Sequence, residues 1–208
     1  MTAPGDREVA PGGEPPTPAP ADDVGALALT VVEALERAGI PCAVGGALAL
    51  GVWGVPRGTT DVDLSAFVEP SGHEALFDAL ADAGLAFSRD EARRRAADGD
   101  TIFCWRDGFR VDVFVPSIPF YAEARRTLQR VRFRGREIPF LGAEALAVFK
   151  LLFFRPKDLV DLAGLVAVQG RALDHAWIRG QLEGMLGPED VRLAAWDRIV
   201  ATHGPTRP

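Results

Sequence analysis

Residues 44–67 read VGGALALGVWGVPRGTTDVDLSAF, and the fold is decided there. Gly45 and Gly46 open a short apolar stretch, Ala47 to Trp53, that suits a helix ended by Gly54 and Pro56. A polar turn carrying Arg57, Thr59 and Thr60 leads into a strand running from Asp61 to about Val68. Strand side chains alternate faces, so Asp61 and Asp63 point one way while Val62 and Leu64 point to the core. Two carboxylates on one face repel unless positive charge stands between them. A divalent cation suits that place, because hard cations prefer carboxylate oxygen.

Upstream, Asp22 or Asp23 is placed to cap a helix over Val24 to Ala38, with Leu27, Val31, Val32 and Leu35 on one face. Gly39 ends it, and Ile40 to Val44 is a short strand entering the Gly-Gly junction. Residues 1–22 hold six prolines among glycines and mixed charges, a composition that buries too little apolar surface to fold and reads as a disordered tail.

Downstream, Ser71 and Glu74 have capping-box spacing for a helix to about Ala83. Leu85 to Phe87 is a weak strand, and Asp90 to Ala97 a short charged helix. Thr101 to Trp105 and Phe109 to Val115 flank Asp107-Gly108, a strong hairpin signal. The second arm carries Asp112, with Arg110 and Phe114 on its face and Val111, Val113 and Val115 on the other. Pro119 to about Leu128 reads as helix, and Val131 to Phe140 as a strand pair turning at Gly135. Four helices follow: Ala143 to Phe154, Pro156 to Val168, Asp174 to Leu186, and Pro188 to about Thr202. The order of elements predicts an α+β fold: a mixed sheet flanked by helices over 23–141, then a C-terminal α-helical region over 142–208.

The chain has 208 residues, 48% of them hydrophobic, enough for a substantial core. Its net charge of -6 argues against broad electrostatic attachment to nucleic acid or an anionic membrane, though a local basic patch is still open. Cys42 and Cys104 lie among apolar residues and read as core thiols of a reducing compartment. No apolar run reaches the roughly 18–20 residues of a membrane span, and the N-terminus has no signal-peptide core. The expectation is a cytoplasmic protein with no membrane partner.

Asp61, Asp63 and Asp112 each stand among β-branched or aromatic residues, where a carboxylate is costly without a partner. Adjacent strands would bring all three to one rim, an arrangement suited to metal-assisted phosphoryl transfer. The Gly45-Gly46 turn would let backbone N–H groups approach a triphosphate, with Arg57, Thr59 and Thr60 adding phosphate contacts or holding the turn.

The Gly-Gly pair, the Asp-Val-Asp of 61–63 and the later strand aspartate resemble the polymerase-β-type nucleotidyltransferase superfamily over residues 40–115. Lys150 in AVFKLLFF, followed by Arg155, Lys157, Asp158 and Asp161, resembles the AbiEii/MenT-like nucleotidyltransferases of type IV toxin–antitoxin systems. The resemblance implies a nucleotidyltransferase-type fold and an enzyme that moves a nucleoside monophosphate from an NTP to a hydroxyl acceptor. It implies Mg²⁺ or Mn²⁺ on Asp61, Asp63 and Asp112. It further implies Lys150 near the nucleotide phosphates and Asp158 supporting the site, with Gly45, Gly46, Arg57 and Thr60 on the nucleotide. An antitoxin protein is an implied partner. Relatives often carry Gly-Ser where this chain has Gly45-Gly46, so one phosphate-facing hydroxyl is missing.

Blander readings stand beside these. An isolated Asp-x-Asp is commonly a solvated turn, Lys150 can snorkel from an apolar helix, and Asp158 and Asp161 can serve as first-turn charges. His73, His175 and His203 read as capping or surface residues. Arg125, Arg126, Arg130, Arg132, Arg134 and Arg136 form a basic band, with 132, 134 and 136 on one strand face. It serves either as a solvated edge that deters aggregation or as a backbone contact for an RNA or tRNA acceptor. The acceptor is otherwise a protein side chain or a small molecule such as an antibiotic. Two rival functions remain: a nucleotide- or partner-binding member of the fold without turnover, and a haloacid-dehalogenase-type phosphatase with Asp61 as nucleophile.

Overall fold

The computed structural model describes residues 23–204. The tail expected over 1–22 lies outside them. Among the described residues the order is α1 (Val24–Arg37), β1 (Cys42–Val44), α2 (Gly46–Trp53), β2 (Asp61–Ala66), α3 (His73–Asp82), α4 (Arg89–Ala97), β3 (Ile102–Arg106), β4 (Phe109–Phe114), α5 (Phe120–Arg126), β5 (Gln129–Phe133), β6 (Arg136–Phe140), α6 (Ala143–Phe153), α7 (Pro156–Gln169), α8 (His175–Leu186) and α9 (Val191–His203). The class is α+β, as expected.

One six-stranded sheet runs β3-β4-β2-β1-β6-β5. It is mixed: β2 pairs parallel to β4, and β1 parallel to β6, while the other neighbours are antiparallel. The decisive pairing is β2 with β4, whose register sets Asp63 beside Asp112 and Asp61 beside Arg110. Alternation does the rest. Val62, Leu64, Val111 and Val113 are fully buried on one face, leaving the carboxylates on the other.

Local signals mark most boundaries. The Asp23 carboxylate accepts the Ala26 N–H at 2.9 Å, capping α1. Asp107 and Gly108 both adopt positive φ, the geometry of the tight hairpin between β3 and β4. Arg134 and Gly135 do the same between β5 and β6. Cys42 and Cys104 are free and buried, and burial pushes both thiols up to about 12.

Three expectations are corrected. The Ser71–Glu74 capping box is not made: a 3-10 turn over Pro70–Gly72 precedes α3, Gly72 caps it without a side-chain bond, and Glu74 pairs instead with Arg93 at 2.7 Å. Leu85 to Phe87 contributes only a bridge at Ala86, to Trp105. Arg132, Arg134 and Arg136 do not share a strand face, because the turn at 134–135 restarts the alternation and Arg132 opposes Glu137 while Phe133 opposes Arg136.

α2 packs against β2 and α6. Its entry is possible only because residue 46 is glycine. Gly46 has φ +54°, and a Cβ there would lie 1.7 Å from Asp63 Oδ2. Gly45 N–H donates to the Asp63 carbonyl at 2.8 Å, fastening the helix start to the carboxylate strand. Gly46→Ala is expected to lose about 2 kcal/mol or more of stability, from the left-handed backbone and the forced shift of Asp63. Urea unfolding checks this, with Gly51→Ala, in open space, as the control.

Candidate active site

A cleft lies between the carboxylate face of the sheet and α6–α7. Gly45, Gly46, Asp61, Asp63 and Asp112 line one side, and Arg57, Lys150, Arg155, Lys157 and Asp158 the other. The expected residues are thus brought together, except Thr60, which is exposed and outside the lining. Thr59 stands nearer: its hydroxyl donates to Asp61 Oδ1.

The three aspartates have different surroundings. Asp63 accepts no hydrogen bond at its carboxylate among the described residues. Burial, reinforced by the charges of Asp61 and Asp112, pushes its pKa up to about 6. Burial also raises Asp112, against the pull of Arg110 and with help from Asp61. Asp61 is pushed up by burial too, but the Thr59 hydroxyl, Arg110 and Lys157 outweigh that and leave it below the usual carboxylate range.

Arg110 is the cation among them. Its Nη2 donates to Asp61 Oδ2 at 3.1 Å and Asp112 Oδ2 at 3.0 Å. Its Nε lies 2.7 Å from Asp112 Oδ1 but out of line for a hydrogen bond, so that buried oxygen has a charge partner and no donor. With the guanidinium in this place, no three His, Cys, Asp or Glu groups among the described residues are gathered to hold one ion. The donor set still fits a hard divalent cation: three carboxylates on one face, one lacking any donor and one with an orphaned buried oxygen.

The opposite wall is built on α6 and α7. Lys150 is 4% exposed. Its Nζ donates to Asp161 Oδ2 at 2.6 Å and lies 3.7 Å from Asp158 Oδ1. Asp161 also accepts from Arg57 Nε at 3.1 Å. Asp158, fully buried, accepts the Arg155 backbone N–H at 3.1 Å and its Nε at 2.7 Å, capping α7. Burial raises Asp158, but its bonds to Arg155 outweigh that and hold it below the ordinary range. Lys150 therefore spends its charge on two aspartates, and these aim Arg57 and Arg155 at the cleft.

Aromatic rings close the cleft. Phe114 meets Phe153 at 5.9 Å and Tyr121 meets Phe149 at 5.1 Å. The Arg155 guanidinium lies 4.8 Å over Phe153. Asp161, Arg110 and these rings went unassigned in the sequence reading. The placement of Arg110 was available from its alternation with Asp112, whereas the role of Asp161 depends on how α6 and α7 cross.

Of the basic band, Arg130 pairs with Glu36 at 3.1 Å, and Arg134 and Arg136 pair with Asp23 and Glu33. Three of its six arginines are thus tied to the acids at and beside α1. No helix among the described residues is long and apolar enough to cross a membrane.

No protein-family model and no curated protein matches the chain. Solved structures do show likeness. One is ANT(2'')-Ia in complex with adenylyl-2''-tobramycin, 18% identical, covering 84% of this chain and 97% of that one with a TM-score of 0.48. Another is an antigenic nucleotidyltransferase-like protein from Paracoccidioides brasiliensis, 15% identical, covering 85% and 94% with a TM-score of 0.48. A third is the lincosamide antibiotic adenylyltransferase LnuA in its lincomycin-bound form, 13% identical, covering 67% and 94% with a TM-score of 0.45.

Two outcomes follow from this geometry. Asp161→Ala strands the buried Lys150 ammonium and is expected to cost ~3 kcal/mol in urea unfolding. The double variant Lys150→Met/Asp161→Leu should recover much of it, because apolar packing replaces a buried ion pair at little cost. The raised pKa of Asp63 means its ionised form costs stability above about pH 6, a cost relieved as pH falls toward the ordinary 3.8. Asp63→Asn should therefore stabilise the protein in EDTA by on the order of 2 kcal/mol at pH 7.5, with the gain gone by pH 4 in thermal melts.

Proposed function

We propose that this chain is a metal-dependent nucleotidyltransferase moving a nucleoside monophosphate from an NTP to a hydroxyl acceptor. One observation carries the reading: three carboxylates on β2 and β4 face Arg57, Arg155 and Lys157 across one cleft. Neither a phosphatase nucleophile nor a plain ion-pair network calls for acids and aimed cations opposed in this way.

In the reaction, the acceptor oxygen bonds to the α-phosphorus, the bond from that phosphorus to its bridging oxygen breaks, and pyrophosphate leaves with the electron pair. Asp61, Asp63 and Asp112 would hold Mg²⁺ or Mn²⁺, which when bound neutralises phosphate charge and lowers the pKa of the acceptor hydroxyl. Asp112, which stands on β4 beside Asp63, would take the hydroxyl proton. Arg57, Arg155 and Lys157 bind the β- and γ-phosphates, and the open N–H groups of Gly46 and the first turn of α2 add donors. Lys150 and Asp161 keep Arg57 in place, and Asp158 keeps Arg155. Phe114 and Phe153 offer the NTP base a stacking surface. The setting implied by the AbiEii/MenT-like resemblance is a toxin with an RNA acceptor and an antitoxin partner; a small-molecule acceptor such as an antibiotic is the alternative.

Purified protein with α-labelled NTPs, Mg²⁺ or Mn²⁺, and either total RNA or antibiotics tests this. Label should move to an acceptor, and Asp63→Ala should lower the rate roughly 100-fold or more. Equal behaviour of wild type and Asp63→Ala overturns catalysis. NTP-induced thermal stabilisation with no labelled product would leave a binding protein instead.

A further inference from the structure

We propose that Arg110 is a built-in competitor of the metal: its guanidinium holds carboxylate oxygens of Asp61 and Asp112 that a divalent cation needs, and so sets how tightly the cleft binds that ion. This rests on the reading of Asp61, Asp63 and Asp112 as the metal's ligands.

The register forces the contact. Arg110 lies two residues before Asp112 on one face of β4, and it stands opposite Asp61 of β2. A long side chain at this position has both carboxylates within reach. Nη2 alone bridges them, 3.1 Å from Asp61 Oδ2 and 3.0 Å from Asp112 Oδ2. The guanidinium offsets the repulsion between the two acids, which is the electrostatic task of a metal ion.

It performs that task incompletely. A guanidinium donates only along its five fixed N–H directions, whereas a spherical hard cation takes oxygen from any side. Nε stands 2.7 Å from Asp112 Oδ1 but out of line, and that oxygen has no donor although Asp112 is only 7% exposed. Asp63, beside Asp112 in the register, has no hydrogen bond or ion pair to Arg110 among the described residues. One positive charge thus serves two acids of three, where a divalent ion brings two charges.

Arg110 is also free to leave. Its side chain is 44% exposed, and its hydrogen bonds among the described residues go to these two carboxylates. Beyond them it meets the Phe103 ring at 5.7 Å, which the Arg95 guanidinium covers more closely at 4.5 Å. Arg106 shows the contrast of an arginine held by the fold: it is 8% exposed and donates to the Ala83 carbonyl at 2.7 Å. A divalent ion therefore enters by displacing charge-assisted hydrogen bonds from a side chain that can swing into solvent.

The test is a Mn²⁺ titration without nucleotide in about 0.15 M salt, followed by the EPR signal of the unbound ion. Arg110→Gln should tighten Mn²⁺ binding about tenfold, the scale of one charge-assisted hydrogen bond no longer in competition. In EDTA the same variant should melt lower than wild type, and Mn²⁺ should raise its Tm by more. Lys157→Gln is the control. Lys157 favours the charged forms of Asp61 and Asp112 from a distance, with no ion pair to either among the described residues, so its loss should change Mn²⁺ affinity by about threefold or less. The proposal is overturned if Arg110→Gln binds Mn²⁺ no tighter than wild type, as an arginine kept only for stability would have it, or if Lys157→Gln tightens binding as much. Tightened binding without label transfer would uphold the role of Arg110 and sink the proposed reaction. Label transfer by a protein whose Mn²⁺ affinity ignores Arg110 would do the reverse.

Discussion

The parallel register of β2 and β4 puts Asp63 and Asp112 side by side, with Asp61 one row away. Like charges so close in a half-buried place are unfavourable. A sheet built only for stability would not hold them, and the neighbouring structure compensates for them. Arg110, beside Asp61 in the register, places one guanidinium across two of the three. Thr59 gives its hydroxyl to Asp61. Asp63 gets neither, and the result is a proton affinity raised toward neutral pH. The start of α2 is pressed against that carboxylate so closely that its first residue can carry no side chain.

The second compensation is remote. Asp158 and Asp161, one helical turn apart on α7, sit beneath the cleft with Lys150 between them. Neither aspartate is satisfied by the lysine alone. Each also holds an arginine whose side chain reaches the cleft, Arg57 on Asp161 and Arg155 on Asp158. Buried ion pairs of this kind add little net stability. What they do here is fix where two guanidiniums stand, which is worth more to a binding site than to a core.

Much of this was legible in the sequence, because it followed from short-range rules. Alternation put Asp61 with Asp63 and Arg110 with Asp112. Asp107-Gly108 fixed the hairpin, and the Gly-Gly pair marked a close approach. What was not legible depended on distances between elements far apart in the chain. The ion pair of Lys150 was one such feature, because nothing in AVFKLLFF shows that Asp161 crosses beneath it. The arginines of 130–136 looked like one basic stripe until the hairpin turn divided them and the acids of α1 paired with three. The false capping box at Ser71 failed for a related reason: Glu74 had stronger partners in Arg93 and Arg89, supplied by the next helix.

The charges around the cleft have a further consequence. Asp61, Asp63, Asp112, Asp158 and Asp161 oppose Arg57, Arg110, Lys150, Arg155 and Lys157, so acids and bases are equal in number. The cleft is thus close to neutral overall, its acidic side facing its basic side. A bare triphosphate would bring several negative charges into that balance with only the cations of one wall to meet them, while Lys150 is already committed below. On the proposed reading, divalent cations entering with the nucleotide would restore the balance on the acidic side, where Asp63 has no donor and Asp112 has an oxygen without one. On that reading Arg110 would give up part of its hold on Asp61 and Asp112. Its side chain is 44% exposed, so it can turn outward without disturbing the core.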